Sequence, residues 1–196
     1  MNSIRNNNIR NIRTQLLSDN WYTLNKITFE YLNDKGVWET QHRESYDRGN
    51  GAAILLYNPT KKKVVLTRQF RMPTYVNGNK DGMSIEVCAG LLDGDSPEKC
   101  VIKEAEEETG YRVTKVKKVL EAYMSPGAVT EIVSMFIAEY SDEMKMSDGG
   151  GLDAEHENIE VLEVTSNEAL NMIESGEIAD AKTIMLLQYA QLQKLI

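Results

Sequence analysis

Cysteine and histidine are scarce in this chain of 196 residues: each occurs twice, the cysteines being Cys88 and Cys100. With no paired cysteines and no Cys/His ligand spacing, a disulfide framework and a structural zinc site are both poorly supported, and the two thiols read as reduced core residues. Long apolar runs are also missing. No stretch approaches the roughly 20 apolar residues a membrane helix needs, and the opening MNSIRNNNIRNIR lacks the apolar run of a signal peptide. A cytoplasmic protein without a membrane segment is the expectation. Basic charge is in deficit, with 22 Lys and Arg against 30 Asp and Glu and a net charge of −8. Nucleic acids and anionic membranes would repel such a chain, so neither is expected as a partner. Phosphate binding would have to be local, through metal ions or a few placed arginines. The length suffices for one domain with a real hydrophobic core, or for a domain with a small extra lobe.

Residues 21–46 carry aromatic and β-branched residues on both sides of NDKG, the pattern of two antiparallel strands joined by a turn. They are expected to form an N-terminal β lobe. From Gly51 on, AAILLY, KVVLTRQF and SIEVCAG are short apolar runs bounded by turn residues, as buried strands are. VTKVKKVLEAY, EIVSMFIAEY and IEVLEV add further strands, with a turn at SPGA and a mobile-looking, glycine-rich loop before the last. The C-terminal segment reads as two helices interrupted at SGEIAD, the second amphipathic and suited to cover a sheet. The whole suggests an α/β fold around a mixed sheet.

SPEKCVIKEAEEETG has the marks of a helix: Ser96 as N-cap, Pro97 at the first helical position and Gly110 just past the end. At 100° per residue, Glu104, Glu107 and Glu108 fall within an arc of about 100°, and Glu106 points away. Val101, Ile102 and Ala105 supply the apolar stripe, so the acidic arc lies beside the buried face. On an exposed helix, like charges at this spacing destabilise by only about 0.2–0.5 kcal/mol per pair, and a solvated face would then suffice. In a partly buried cleft, with an effective dielectric near 20 and a separation of about 5.5 Å, the repulsion is roughly 3 kcal/mol per pair. A counterion is then required. Carboxylate oxygens without His or Cys beside them suit a hard divalent cation and not zinc.

Read with its upstream loop, AGLLDGDSPEKCVIKEAEEETGY resembles the Nudix box, G-x5-E-x7-R-E-U-x-E-E-x-G-U with U a bulky apolar residue. Lys103 stands where that pattern usually has Arg, Asp95 replaces the first Glu, and four residues separate it from Gly90. The segments YDRGNGAAILLYN, VVLTRQFR, YVNGN, EVCAGLLD, YMSPGAVTE and GEIADAKTIMLLQY extend the likeness, which is to the GDP-mannose pyrophosphatase branch of the Nudix hydrolases. The resemblance implies an α/β/α sandwich around a mixed sheet, residues 47–196, preceded by an N-terminal antiparallel β lobe, residues 1–46. It also implies a homodimer and Mg²⁺-dependent cleavage of GDP-mannose to GMP and mannose 1-phosphate, with Mn²⁺ as the other cation.

On the same resemblance, the metal ligands are Glu104, Glu108, the carbonyl of Ala89 and Glu157, with Glu107 completing the cluster directly or through water. Lys103 would orient a glutamate by a charge-assisted hydrogen bond. Glu157 is the loop acid that joins the metals or acts as base; Glu155 competes for the role, and the glycines before it would gate the site. Arg71, with a fork matched to a diphosphate, is the substrate-binding arginine, and Arg68 a nearby rival that pairs with an acid. Trp21, His42, Arg43, Glu44, Gly90, Leu91, Glu131, His156 and Lys182 match the remaining ligand-contacting positions. Two alternatives stay open. One keeps the chemistry and takes ADP-ribose or another nucleoside-diphosphate sugar; the other is a non-catalytic nucleotide-sugar-binding regulator.

Overall fold

The computed structural model describes residues 7–152 and 157–196. The chain forms two compact units, one running to Gly49 and taking in Tyr123–Glu131, the other comprising Asn50–Ala122 and Ile132–Ile196.

The first unit is a three-stranded antiparallel sheet of β1 (Ile9–Asp19), β2 (Thr23–Leu32) and β3 (Trp38–Asp47), in that spatial order. Its β2–β3 turn is closed by Asn33, whose side-chain oxygen accepts the N–H groups of Lys35 and Val37, each at 3.0 Å. β1 is a strand that apolar patterning does not announce. Nearly all of its side chains are exposed, so it is held by backbone pairing with β2 and not by burial of one face. Segment Tyr123–Glu131 joins the end of β3: the Tyr46 N–H donates to the Ala128 carbonyl at 2.8 Å, and the Thr130 N–H returns to the Tyr46 carbonyl at 3.0 Å.

The second unit contains a mixed seven-stranded sheet. Its strands are β4 (Gly51–Asn58), β5 (Lys63–Phe70), β6 (Met83–Glu86), β7 (Cys88–Leu91), β8 (Lys117–Tyr123), β9 (Ile132–Glu139) and β10 (Glu160–Thr165). The order is β10-β5-β4-β9-β8, with β6 paired to β5 and β7 to β4; β4 and β9 run parallel. SIEVCAG therefore folds as two strands and not one. Its two halves pair with different neighbours, and between them the Val87 N–H turns away to the Thr183 hydroxyl at 2.8 Å.

Four helices surround this sheet among the described residues: α1 (Met72–Val76), α2 (Pro97–Thr109), α3 (Ser166–Ser175) and α4 (Ala181–Leu192). α2 starts where Ser96 caps the Lys99 N–H and stops at Gly110, whose φ is +79°. Its Cys100, Val101 and Ala105 pack with Ala52, Ile54, Leu56 and Phe136 on one face of the sheet. Burying one such valine contributes about 1.5–3 kcal/mol. Ala53 and Leu55 alternate to the other face of β4 and are as deeply buried. That depth follows because α4, through Leu186, Leu187 and Ala190, packs on β4 and β9 outside the α2 cluster. The result is the layered α/β architecture expected. No helix among the described residues is long and apolar enough to cross a membrane.

Candidate metal and substrate site

α2 presents its acids as the 100° spacing requires. Glu106 faces away and pairs with Arg112 at 2.7 Å. Lys103 is exposed, its ammonium 3.3 Å from Glu107 one turn along. Glu104 is half-buried and lies against Gly90, where a Cβ would collide with its carboxylate; only glycine permits this approach. Glu108 is 2% exposed. One of its oxygens accepts the Ala89 N–H at 3.3 Å, and the Cys88 thiol adjoins it. Burial, then repulsion from Glu104 and Glu157, outweighs those contacts and pushes the Glu108 carboxyl up to about 8. The Cys88 thiol is itself pushed up by burial and by Glu108, which makes it a proton-bearing neighbour and a poor soft ligand.

The glycine-rich loop is fitted to the end of α2. The Gly151 N–H donates to the Glu107 carbonyl at 3.2 Å and the Gly150 N–H to the Glu108 carbonyl at 2.9 Å, satisfying carbonyls that the helix end leaves open. Gly151 has φ +82°, and a Cβ there would strike Glu157. The Glu157 carboxylate accepts the Leu152 N–H at 3.1 Å, which directs this acid toward α2. Glu155 and His156 lie outside the described residues.

These donors fit a hard divalent cation. A carboxyl at this depth, crowded by two others, keeps its proton near neutral pH unless a counter-charge stabilises the anion, and the groups at hand are oxygens. Among the described residues, no three acidic, histidine or cysteine side chains close into a ready cage. A hard cation such as Mg²⁺ keeps several waters and needs no all-protein cage. The residues that would hold it are Glu104, Glu108, Glu157 and the backbone of Ala89. Leu91, two residues on, turns its carbonyl toward α2 and accepts the Cys100 thiol at 3.3 Å. The shortened loop ahead of α2 closes as a turn, the Asp95 N–H donating to the Leu92 carbonyl at 2.7 Å.

Beside this acidic group lies a cationic one. Arg71 grips Glu86 with two bonds, Nε to Oε1 at 2.9 Å and Nη2 to Oε2 at 3.0 Å. The ammonium of Lys182 donates to the same Oε2 at 2.7 Å and to Asp180 at 2.9 Å. Burial opposes a charge on Glu86, but Arg71 and Lys182 prevail and hold it down to about 2. Arg71 is held firmly in its charged form: burial works against that charge, but the Glu86 bond and the fields of Glu86, Glu108 and Asp180 prevail. Arg68 is the arginine paired elsewhere, with Glu160 at 3.2 Å and Asp81 at 3.1 Å. An open cleft of about 970 Å³ adjoins the network at Glu86 and Asp180, with Thr74, Asn79 and Ser84 on its walls. It is not lined by the α2 glutamates.

The other sequence-derived candidates belong to the first unit. Trp21 is 85% exposed. His42 shares a hydrogen bond of 2.9 Å with the Thr28 hydroxyl, and Arg43 donates to Gln41 and to the His42 carbonyl. Glu44 stands across from Lys26 in the β2–β3 register, and Glu131 is 3.5 Å from Arg48. Sequence reasoning overlooked Glu86 and Asp180. The signal for Glu86 was a lone carboxylate inside the apolar run SIEVCAG, and buried acids are rarely unpaired. The signal for Asp180 was its position three residues before Thr183 at the start of α4, whose N–H it caps at 3.0 Å.

Comparison with known proteins adds a family. A model of the NUDIX domain matches residues 47–187, and one described as the GDP-mannose pyrophosphatase NudK N-terminal domain matches residues 8–46. A GDP-mannose pyrophosphatase of Yersinia enterocolitica is 58% identical over 188 residues, 96% of this chain and 97% of the relative. A Salmonella arizonae protein of the same name is 57% identical over 189 residues, covering 96% and 98% respectively. A third, from Yersinia pestis, is 59% identical over 184 residues, covering 94% and 92%.

Proposed function

The chain belongs to the NUDIX domain family, and on that footing we propose that it hydrolyses the diphosphate bond of GDP-mannose, releasing GMP and mannose 1-phosphate. The observation that carries the reading is the buried Glu108 carboxyl, crowded by Glu104 and Glu157, with Glu104 seated against Gly90. Relatives alike over nearly their whole length bear the name of that activity.

In this reading a divalent cation, Mg²⁺ in preference to Mn²⁺, would be held by Glu104, Glu108, Glu157 and the Ala89 carbonyl. When bound it screens the phosphate oxygens, acidifies water and stabilises the leaving phosphate. The chain's own residues do the rest. Lys103 holds Glu107 in place for a contact through water, and Glu157 accepts the proton of the attacking water. Arg71 and Lys182 bind the diphosphate, with Gly90 and Leu91 allowing its close approach. Trp21, His42, Arg43, Glu44, Glu131 and His156 contact the nucleotide or sugar.

The reading includes a homodimer. It is supported by the edge position of β1 in its sheet and by Ile12, Leu16, Trp21 and Val37, apolar side chains exposed on the first unit. Two buried free thiols accord with the reducing cytoplasm as its location. The test is turnover of GDP-mannose and of ADP-ribose with Mg²⁺ in ¹⁸O-labelled water, with products weighed by mass spectrometry. GDP-mannose is expected to be preferred. Faster turnover of ADP-ribose would overturn the substrate, and binding without turnover would overturn the enzyme.

A further inference from the structure

We propose that Glu86 is a positioning residue: it sets the Arg71 guanidinium and the Lys182 ammonium side by side so that both meet a substrate diphosphate without rearrangement. This rests on the reading that Arg71 and Lys182 bind substrate.

The two cations come from distant parts of the chain, Arg71 from the turn after β5 and Lys182 from the first turn of α4. They repel each other, and a shared anion offsets that repulsion. Glu86 is that anion, because its Oε2 accepts from Arg71 Nη2 at 3.0 Å and from Lys182 at 2.7 Å. Its other oxygen takes Arg71 Nε, so the guanidinium is held by two parallel bonds and its plane is set. Nη1 is the nitrogen that does not engage Glu86, and the Arg71 side chain is 40% exposed. Glu86 itself is 4% exposed, at the end of β6.

Two further features tie this arrangement to the acidic site. Val87 is fixed by the Thr183 hydroxyl, which in turn donates to Asp180, so α4 and the end of β6 share one register. Two residues beyond Val87, Ala89 donates to Glu108. One short segment therefore aligns the cations and the acids together. Stability gives little reason for such a group, since a buried ion network is often no more stabilising than apolar side chains of equal volume. Preorganised charge beside a diphosphate site does give one, because the geometry is set before substrate arrives.

The experiment is a kinetic comparison of Glu86→Gln, Arg71→Ala, Arg71→Ala/Lys182→Ala and the triple variant, with GDP-mannose and Mg²⁺. Loss of one charged hydrogen bond corresponds to about tenfold, so Glu86→Gln should raise KM about tenfold and change kcat less than about threefold. Added to Arg71→Ala/Lys182→Ala, it should raise KM by less than about threefold, because it acts through those two cations. Unchanged KM in Glu86→Gln, equal loss in kcat, or fully multiplicative effects would each overturn the proposal. Unchanged KM in Arg71→Ala would instead overturn the substrate role on which it rests. Should Glu86→Gln not fold, nitrogen-15 spectra of the wild-type protein decide: a distinct, slowly exchanging Arg71 Nε–H signal without substrate supports positioning, and an averaged one overturns it.

Discussion

Replacing Glu86 by glutamine keeps the volume of the side chain and removes the charge that two cations share. The magnitude follows from the site. Its carboxyl is held down from 4.5 to about 2, which at about 1.4 kcal/mol per pH unit makes the ionised form worth about 3 kcal/mol to the folded state. Because the folded value is the lower one, this stability is fully present above about pH 4.5 and is lost as pH falls toward 2. The assay is urea unfolding of both proteins at one protein concentration, without divalent cations, from pH 7 down to 2. Glu86→Gln should be less stable by about 3 kcal/mol at pH 7, within the range for breaking a buried pair. The gap should hold to about pH 5 and shrink below about 1 kcal/mol at pH 2. Exposed carboxylates lowered by surface partners titrate in both proteins and cancel in the difference. A gap under about 1 kcal/mol at pH 7, or one that does not narrow on acidification, would refute the shared-anion account.

Glu108 behaves in the opposite sense. Its folded value of about 8 lies above its ordinary one, so in cation-free protein the stability it contributes is fully present below the ordinary value and is lost as pH rises from there to about 8. At pH 7 binding of Mg²⁺ should expel close to one proton from this group, and at pH 9 almost none; calorimetric titration in buffers of different ionisation enthalpy reads the number. Equal release at both pH values would refute the assignment. Gly90→Ala should weaken Mg²⁺ binding and activity together by at least about tenfold, because the new methyl group displaces the Glu104 carboxylate. Its circular dichroism spectrum should remain that of the parent, and unchanged Mg²⁺ affinity would show that Glu104 does not need this approach.

How much was visible beforehand divides along a physical line. α2 could be read residue by residue, from the Ser96 cap to the Gly110 stop, because capping and the 3.6-residue period are local. The three-glutamate arc followed from the same period. β5 and β9 were legible as short apolar runs, and the two C-terminal helices from the break at SGEIAD between them. β1 was not, since a strand that buries neither face leaves no alternation to read. Nor was the break of SIEVCAG at Val87, where two strands are separated only by their choice of neighbours.

The sequence by itself determined which acids share a helical face, where that helix begins and ends, and that a hard cation suits them, because each depends on spacing within one turn or a few. Tertiary structure alone decided that Glu108 is the buried member, that Arg71 grips Glu86, and that Lys182 arrives beside it from the far end of the chain. Burial and ion pairing are set by what packs against a residue, and those partners lie on strands and helices that only the folded sheet brings together.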